Sequence, residues 1–596
     1  MRVPKNNFFI FLCLIVLAFL LFGNGISGNF VLDDRSVVVG NPMVEDLSGV
    51  FKAFLSPYYY DRPQSGLYRP LTLASYSLDW HLFSGNPSGF HVVNILIHAV
   101  ISFLVFLIVL NLKDRLMALV SSLLFLFLPI HVESVTSIVG RGELLALLFF
   151  ALAFYAIQHR NYKMSSIMFF LSVLSKEIGI VFIPVFIFFE TVWRKTPARE
   201  LFKKTAYFFP PLIIYSVLRY YALGSDYFLS SNSYSFFNPI AVMDFLPGLL
   251  TAFKVLCVYI QKTIFPTYFS SDYSYNQIVA VNSLFNSWQA LIGVIIFTAV
   301  ICLSVTKRDS LISLGSIIFL FSYLIISNLF VKIGTIMAER LMYMPSFGLV
   351  LILSEVFSNL LKNYKKITKL FWSVFVLLLF VYGTQIIRGN ALWENEKTLF
   401  ENAYKHAPNS IVNITNMAGV LFREGKNKEA LEKVERALNI ESKNSPTLHL
   451  AGQIYNKMGE DKIAEEFWQK SIQAQSDYLY PYLSLGVLYY QRGDFRSGEE
   501  ILVKARQIHD TFNVIELLAF NKIGLGQYAD TINLIEEKFG KEPKEYELRL
   551  VLGVAYLRLG DDLRARELLL ELKDPALSED AFFKNLKNTK IFDLDI

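Results

Sequence analysis

The chain has 596 residues, is 54% hydrophobic and 18% charged, and carries a formal net charge of +5. A soluble protein of that length cannot hide so much apolar surface, so its runs of about 20 apolar residues read as bilayer spans. The positive excess sits in short Lys/Arg clusters between those runs, which points to membrane topology and to no nucleic-acid partner.

In chain order, a short basic start and an apolar run to Leu21 predict an uncleaved first anchor. Further spans are expected near 92–111, 116–130, 143–158, 164–174, 178–192, 205–221, 246–264, 288–305, 310–330, 338–357 and 369–387. Arg2, Lys5, Lys113, Arg115, Arg160, Lys163, Arg194, Lys195, Lys307, Arg308, Lys362, Lys365 and Lys366 mark the cytoplasmic side. Loop 25–90 and the segments near 131–142, 175–177, 221–245 and 331–340 then face outside. A full crossing by 246–264 inverts the later signals. A re-entrant run there, or one miscalled neighbour, restores them and gives about eleven transmembrane helices with the C-terminal part outside. Cys13, Cys257 and Cys302 lie in apolar runs and suggest neither a disulfide framework nor a zinc site.

The external segments hold the polar residues. Loop 25–90 opens with Asn29-Phe30-Val31-Leu32-Asp33-Asp34 and continues through Tyr68-Arg69-Pro70-Leu71-Thr72 to Gly89-Phe90-His91. His91, Asn94 and His98 share one helical face, which belongs inside a bundle. Next come His131-Val132-Glu133-Ser134 with Arg141-Gly142-Glu143, then Ser175-Lys176-Glu177, Ser271-Asp272-Tyr273-Ser274 and Glu339-Arg340. Together they outline an external cavity lined by acids and bases. Each group can also be a structural ion pair.

Beyond Asn390 the character changes. Gly425, Gly459, Gly493 and Gly560 recur about every 34 residues, and Gly526 fits one residue short of phase. Seven residues before these turns stand Ala418, Gly452, Gly486, Ala519 and Gly553. The small residue lets two helices approach and the later glycine ends the first of them. This resembles the tetratricopeptide pattern and predicts an α-solenoid of about five repeats over 391–596 after a membrane domain over 1–390. The fold class is therefore all-α. Such a solenoid suits capture of an acceptor or partner; a spacer or oligomerisation element is the alternative.

No Walker loop, Gly-x-Gly-x-x-Gly or His-Glu-x-x-His motif is present. A carboxylate base with cationic phosphate clamps suits transfer from a lipid-phosphate donor to a hydroxyl group. A membrane scaffold and a transporter are the other readings, although no inverted repeat is visible. An acidic pair can be a base or can hold a divalent metal, so metal dependence stays open.

The external motifs resemble those of the transmembrane and tetratricopeptide-repeat protein family, membrane glycosyltransferases of the GT-C superfamily. Leu174 to Gly179, Gly334 to Ser346, Arg388-Gly389-Asn390 and Trp393 extend the match over most of 29–393 in family order. The resemblance implies O-mannosyl transfer from a polyprenyl-phosphate sugar to protein Ser or Thr. It makes the acidic pair catalytic, with Asp34 preferred over Asp33 and Glu133 and Glu143 as further acids. By their charge and predicted side more than by the family, Arg141, Lys176 and Arg340 are candidates for the donor phosphate, with Glu143, Arg69 and His91 as further substrate-binding residues. The few repeats and the end Phe592-Asp593-Leu594-Asp595-Ile596, which carries no retrieval signal, fit a bacterial relative in the inner membrane with its repeats in the periplasm. The expected partners are then membrane lipid, the donor, and an acceptor that is a protein or an envelope lipid or glycan.

Overall fold

The computed structural model describes residues 5–60, 65–224, 237–306, 308–543 and 545–569. Arg2, Lys307 and the stretch Phe592 to Ile596, used above, lie outside them. Among the described residues every regular element is helical. The chain forms two compact units, Met1–Val420 and Leu421–Ile596. The first unit reaches past Asn390 because the segment after it is tied into the membrane body. Ser410 Oγ donates to Asp272 at 2.6 Å, and Asn402 Nδ2 donates to the Phe269 carbonyl at 2.8 Å.

Polar contacts sort the helix ends of the first unit into two groups. At one end Lys113 pairs with Glu355 at 3.2 Å, the Ile312 amide donates to Glu355 at 2.9 Å, and Arg194 donates to the Gln158 carbonyl at 2.9 Å. At the other end Thr72 Oγ1 donates to the Ser175 carbonyl at 2.9 Å, Arg219 to the Gly66 carbonyl at 3.0 Å, and Asn390 Nδ2 to the Leu21 carbonyl at 2.8 Å. Among the described residues eleven helical passes link these ends. They are Lys5–Phe22, Pro87–Leu110, the bent pair Arg115–Leu126 and Pro129–Thr136, Arg141–Gln158, Tyr162–Ser175, 177–193, Phe209–Leu223, Trp288–Thr306, Leu311–Ile326, Tyr343–Asn363 and Thr368–Ala391.

By length and apolarity alone, seven helices among the described residues could cross a bilayer, or eight with the bent pair, so some passes are too short to do so unaided. Phe245–Ile264, also one of the seven, is tied to the connection between Leu311–Ile326 and Tyr343–Asn363. Before it, Asn238 Nδ2 donates to Asn328 Oδ1 at 2.8 Å; near its end, Tyr259 bonds Ala338 at 3.1 Å and Lys262 pairs with Glu339 at 3.3 Å. Asn328 and Glu339 flank one connection between two antiparallel passes, whereas the Ile264 carbonyl accepts from Tyr382 at 2.8 Å and Thr263 to Phe265 line a cavity with Val356, Leu360 and Phe375.

Local chemistry starts these helices where the chain must turn. Asn86 caps Pro87–Leu110 by accepting the Ser88 amide at 3.0 Å, and Asp114 caps Arg115–Leu126 by accepting the Met117 amide at 2.9 Å. Gly140 is forced by close approach, since a Cβ there would sit 2.2 Å from the Ser134 carbonyl oxygen.

In the second unit the turn glycines Gly425, Gly459, Gly493, Gly526 and Gly560 all have φ between 74° and 85°. The small residues upstream face large ones on the next helix: a Cβ on Gly452 would meet Trp468 at 2.3 Å, and one on Gly486 would meet Leu502 at 2.7 Å. The helix pairs of this unit are those of the expected solenoid.

Candidate functional site

The polar motifs meet at the end of the bundle that carries loop 25–90. Leu32 sets the geometry. Its φ of 51° is left-handed, a conformation that costs a branched residue on the order of 1–3 kcal/mol. Asp34 holds this turn closed. Its carboxylate accepts the Val31 amide at 3.1 Å, across Leu32, and the Val139 amide at 2.9 Å from the connection before Arg141–Gln158. Asp34 is fully buried, and burial raises its pKa from 3.8 to about 7. It therefore braces the loop.

Asp33 points the other way. Its side chain keeps 37% of its surface, and its Oδ2 stands 3.7 Å from Arg340 Nη2. Arg340 Nη1 also donates to Glu133 Oε1 at 2.9 Å, while the Arg340 amide donates to Glu133 Oε2 at 2.8 Å. Glu133 is thus fixed by both backbone and side chain of Arg340, and Ser134 Oγ donates to the Arg340 carbonyl at 3.3 Å. One guanidinium lies between a buried carboxylate and an accessible one.

A second cluster adjoins the first. Arg69 pairs with Glu177 at 3.2 Å, and Lys176 pairs with Glu143. The Arg69 guanidinium lies 5.0 Å from the Tyr58 ring centre, and the buried Tyr58 phenol, pushed up to about 12 by desolvation, senses Arg69, Asp33 and Arg340 together. Arg69 in turn senses Glu143. Burial lowers the Lys176 pKa, with Glu143 opposing. The Tyr68-to-Thr72 motif builds this junction: Tyr68 donates to the Phe54 carbonyl at 2.7 Å, Arg69 reaches Glu177, Pro70 opens a helix, and Thr72 fastens to Ser175.

Two expected ligand-binding residues sit elsewhere. Arg141 is fully buried, paired with Asp79 and donating to Asn94 Oδ1 at 2.8 Å and the Phe90 carbonyl at 2.9 Å. With its donors spent on protein groups, it locks loop 25–90 to the bundle and reaches no phosphate. His91 is buried with Nε2 at 3.2 Å from the Gly28 carbonyl and also serves packing. Asp272 is likewise occupied, accepting from Ser410 and from Ser274 at 2.7 Å; burial raises its pKa. Among the described residues no three His, Cys, Asp or Glu side chains gather as a metal-ligand set.

No family model matches the chain. Protein O-mannosyl-transferase F38B6.6 of Caenorhabditis elegans is 26% identical over 443 residues, covering 72% of this chain and 62% of that protein. Human Protein O-mannosyl-transferase TMTC1 is 26% identical over 511 residues, covering 74% of this chain and 56% of that protein. Human Protein O-mannosyl-transferase TMTC3 is 24% identical over 594 residues, covering 92% of this chain and 62% of that protein. Its homologues are protein O-mannosyl-transferases of the transmembrane and tetratricopeptide-repeat family. The chain spans about three fifths of the length of the O-mannosyl-transferases it matches. Among solved structures, a tetratricopeptide repeat protein from Parabacteroides merdae aligns with a TM-score of 0.26 at 17% identity, covering 37% of this chain and 79% of that one, too low a score to compare folds.

The motifs by which the chain resembles the O-mannosyl-transferase family thus divide into two sets. Asp33, Glu133, Arg340, Arg69, Glu143 and Lys176 come together, whereas Asp34, Arg141 and His91 support them from behind. Glu177, expected only among the acids that outline the external cavity, joins the first set, and so does Tyr58, which has no role in the sequence reading. For Glu177 the signal was there: it adjoins Lys176 at a break between two apolar runs. Asp79 was also missed, and its signal is a lone carboxylate inside the apolar helix Pro70–Phe83.

Proposed function

We propose that the chain is a membrane glycosyltransferase that moves a sugar, mannose by analogy with its homologues, from a polyprenyl-phosphate donor to a hydroxyl group of a protein on the external face. The observation that carries this reading is Arg340, placed between buried Glu133 and accessible Asp33 at the mouth of a membrane bundle. The donor phosphate competes with Asp33 for Arg340. Glu133, which also accepts the Arg340 amide, keeps the guanidinium in place as the phosphate arrives. Asp33 then loses its cation and becomes a free carboxylate base.

The reaction is a single displacement. The acceptor oxygen forms a bond to the anomeric carbon, and its proton passes to Asp33. The bond from that carbon to the phosphate oxygen breaks, and the electron pair leaves with polyprenyl phosphate, whose charge Arg340 balances. The repeats suit capture of the acceptor polypeptide. The test is transfer of labelled mannose from polyprenyl-phosphate mannose to a Ser/Thr peptide by the purified full chain in nanodiscs. Donor-dependent label in the peptide is expected. A chain that is folded yet transfers from no polyprenyl-phosphate sugar contradicts the proposal.

A further inference from the structure

Buried ion pairs that only hold a fold have their hydrogen-bonding capacity filled, because an unfilled polar atom is costly. Arg141 with Asp79 is such a pair, its guanidinium shared among Asp79, Asn94 and the Phe90 carbonyl. The Glu143–Lys176 and Arg69–Glu177 pairs differ. Glu143 gives Oε1 to Lys176, and its Oε2 accepts no hydrogen bond although the side chain is 2% exposed. Glu177 gives Oε2 to Arg69, and its Oε1 likewise accepts none. The cluster still has an open rim, since Arg69, Lys176 and Glu177 keep 16%, 12% and 29% of their side-chain surface.

Two carboxylate oxygens in one cluster therefore await donors. The charge balance says which kind. Each carboxylate already has a paired cation, Lys176 for Glu143 and Arg69 for Glu177, with Arg219 acting on Glu177 as well, so no metal ion is called for, and an acceptor oxygen facing a phosphate oxygen repels it. A neutral molecule with several adjacent O–H donors fits it, and that is the chemistry of a sugar ring. The cluster also borders the reaction groups: Arg69 and Arg340 both act on Tyr58, and Arg69 senses Glu143.

We propose that Glu143 Oε2 and Glu177 Oε1 accept hydrogen bonds from hydroxyls of the donor's sugar, so that the Arg69–Glu177 and Lys176–Glu143 pairs form a hydroxyl-reading subsite beside the Asp33–Arg340 centre. This rests on the transferase reading for the identity of the sugar carrier, and it gives Glu143 and Glu177 a role separate from phosphate binding. Lys176 and Arg69 hold the two carboxylates at the rim.

Equilibrium binding to the full chain in nanodiscs tests it, with polyprenyl-phosphate mannose and bare polyprenyl phosphate as the two probes. The ratio of their dissociation constants isolates the sugar's contribution. Wild type should bind the mannose-bearing lipid at least tenfold more tightly, as one or two charge-assisted hydrogen bonds supply. Glu143→Gln and Glu177→Gln should each cut that ratio about three- to tenfold while leaving the affinity for bare polyprenyl phosphate within twofold. Glu177→Gln alters the more exposed pair and keeps the test open if Glu143→Gln destabilises the chain. An unchanged ratio in folded variants overturns the proposal, and so does a wild-type ratio near one. If the ratios behave as stated but no mannose is transferred, the transferase reading fails while the subsite stands.

Discussion

Removing Arg340 should expose how the centre is held together. In Arg340→Ala, Glu133 keeps the backbone amide bond but loses its cation while 3% exposed. Stranding a buried carboxylate in this way costs about 3–5 kcal/mol. The contact to Asp33 adds little, because at 3.7 Å and with side-chain exposures of 28% and 37% it resembles a surface pair worth about 0–1 kcal/mol. Glu133→Gln in the same chain removes the stranded charge and should restore at least about 2 kcal/mol of the loss. Apparent unfolding midpoints in one fixed detergent, measured for wild type, both single variants and the double variant, give the coupling. Additive losses, or a single Arg340→Ala variant within about 0.5 kcal/mol of wild type, would refute the claim that Glu133 depends on Arg340.

Three further outcomes follow from the same contacts. Asp34 has a folded-state pKa near 7 against an ordinary 3.8, so the folded protein holds its proton where the unfolded chain has lost it. Its contribution is fully present below about pH 4 and is lost as pH rises to 7, by about 4 kcal/mol over the window. Wild-type midpoints should therefore gain on those of Asp34→Asn as pH falls from 8 to 5, and parallel curves would count against the assignment. Gly140→Ala must push against the Ser134 carbonyl 2.2 Å away and should lower the midpoint by about 1–3 kcal/mol; an unchanged midpoint would show that the turn yields. Gly459→Ala, at φ of 82°, should cost about 1 kcal/mol and speed amide exchange in the flanking helices Ser445–Lys457 and Asp461–Ala474, while unaltered exchange would argue against the turn.

The repeats were legible because their spacing encodes local backbone demands: a glycine with positive φ and a small residue facing Trp468 or Leu502. The bundle was legible from apolar runs, and charge alternation marked 246–264 as the run whose full crossing inverts the later signals. The site was legible as a set of motifs but not as a set of directions. Asp33 and Asp34 are neighbours with the same chemistry, and only the strained turn at Leu32 separates an accessible carboxylate from a bracing one. Arg141 and Arg340 look alike in sequence as well. Asp79, 62 residues from Arg141, turns the one into a lock, and Asp33, remote from Arg340 in sequence, gives the other its exposed partner. Such long-range pairings have no local signature.

The division between Asp33 and Asp34 is the core of the account, and rates of mannose transfer measure it directly. Under saturating donor, Asp33→Asn should lose about 10²–10⁴-fold in kcat with its unfolding midpoint within about 1 kcal/mol of wild type. Asp34→Asn should lose midpoint first and keep activity in proportion to its folded fraction. Wild-type kcat in Asp33→Asn, or a fully folded Asp34→Asn that is as inactive as expected for a missing base, would contradict the account.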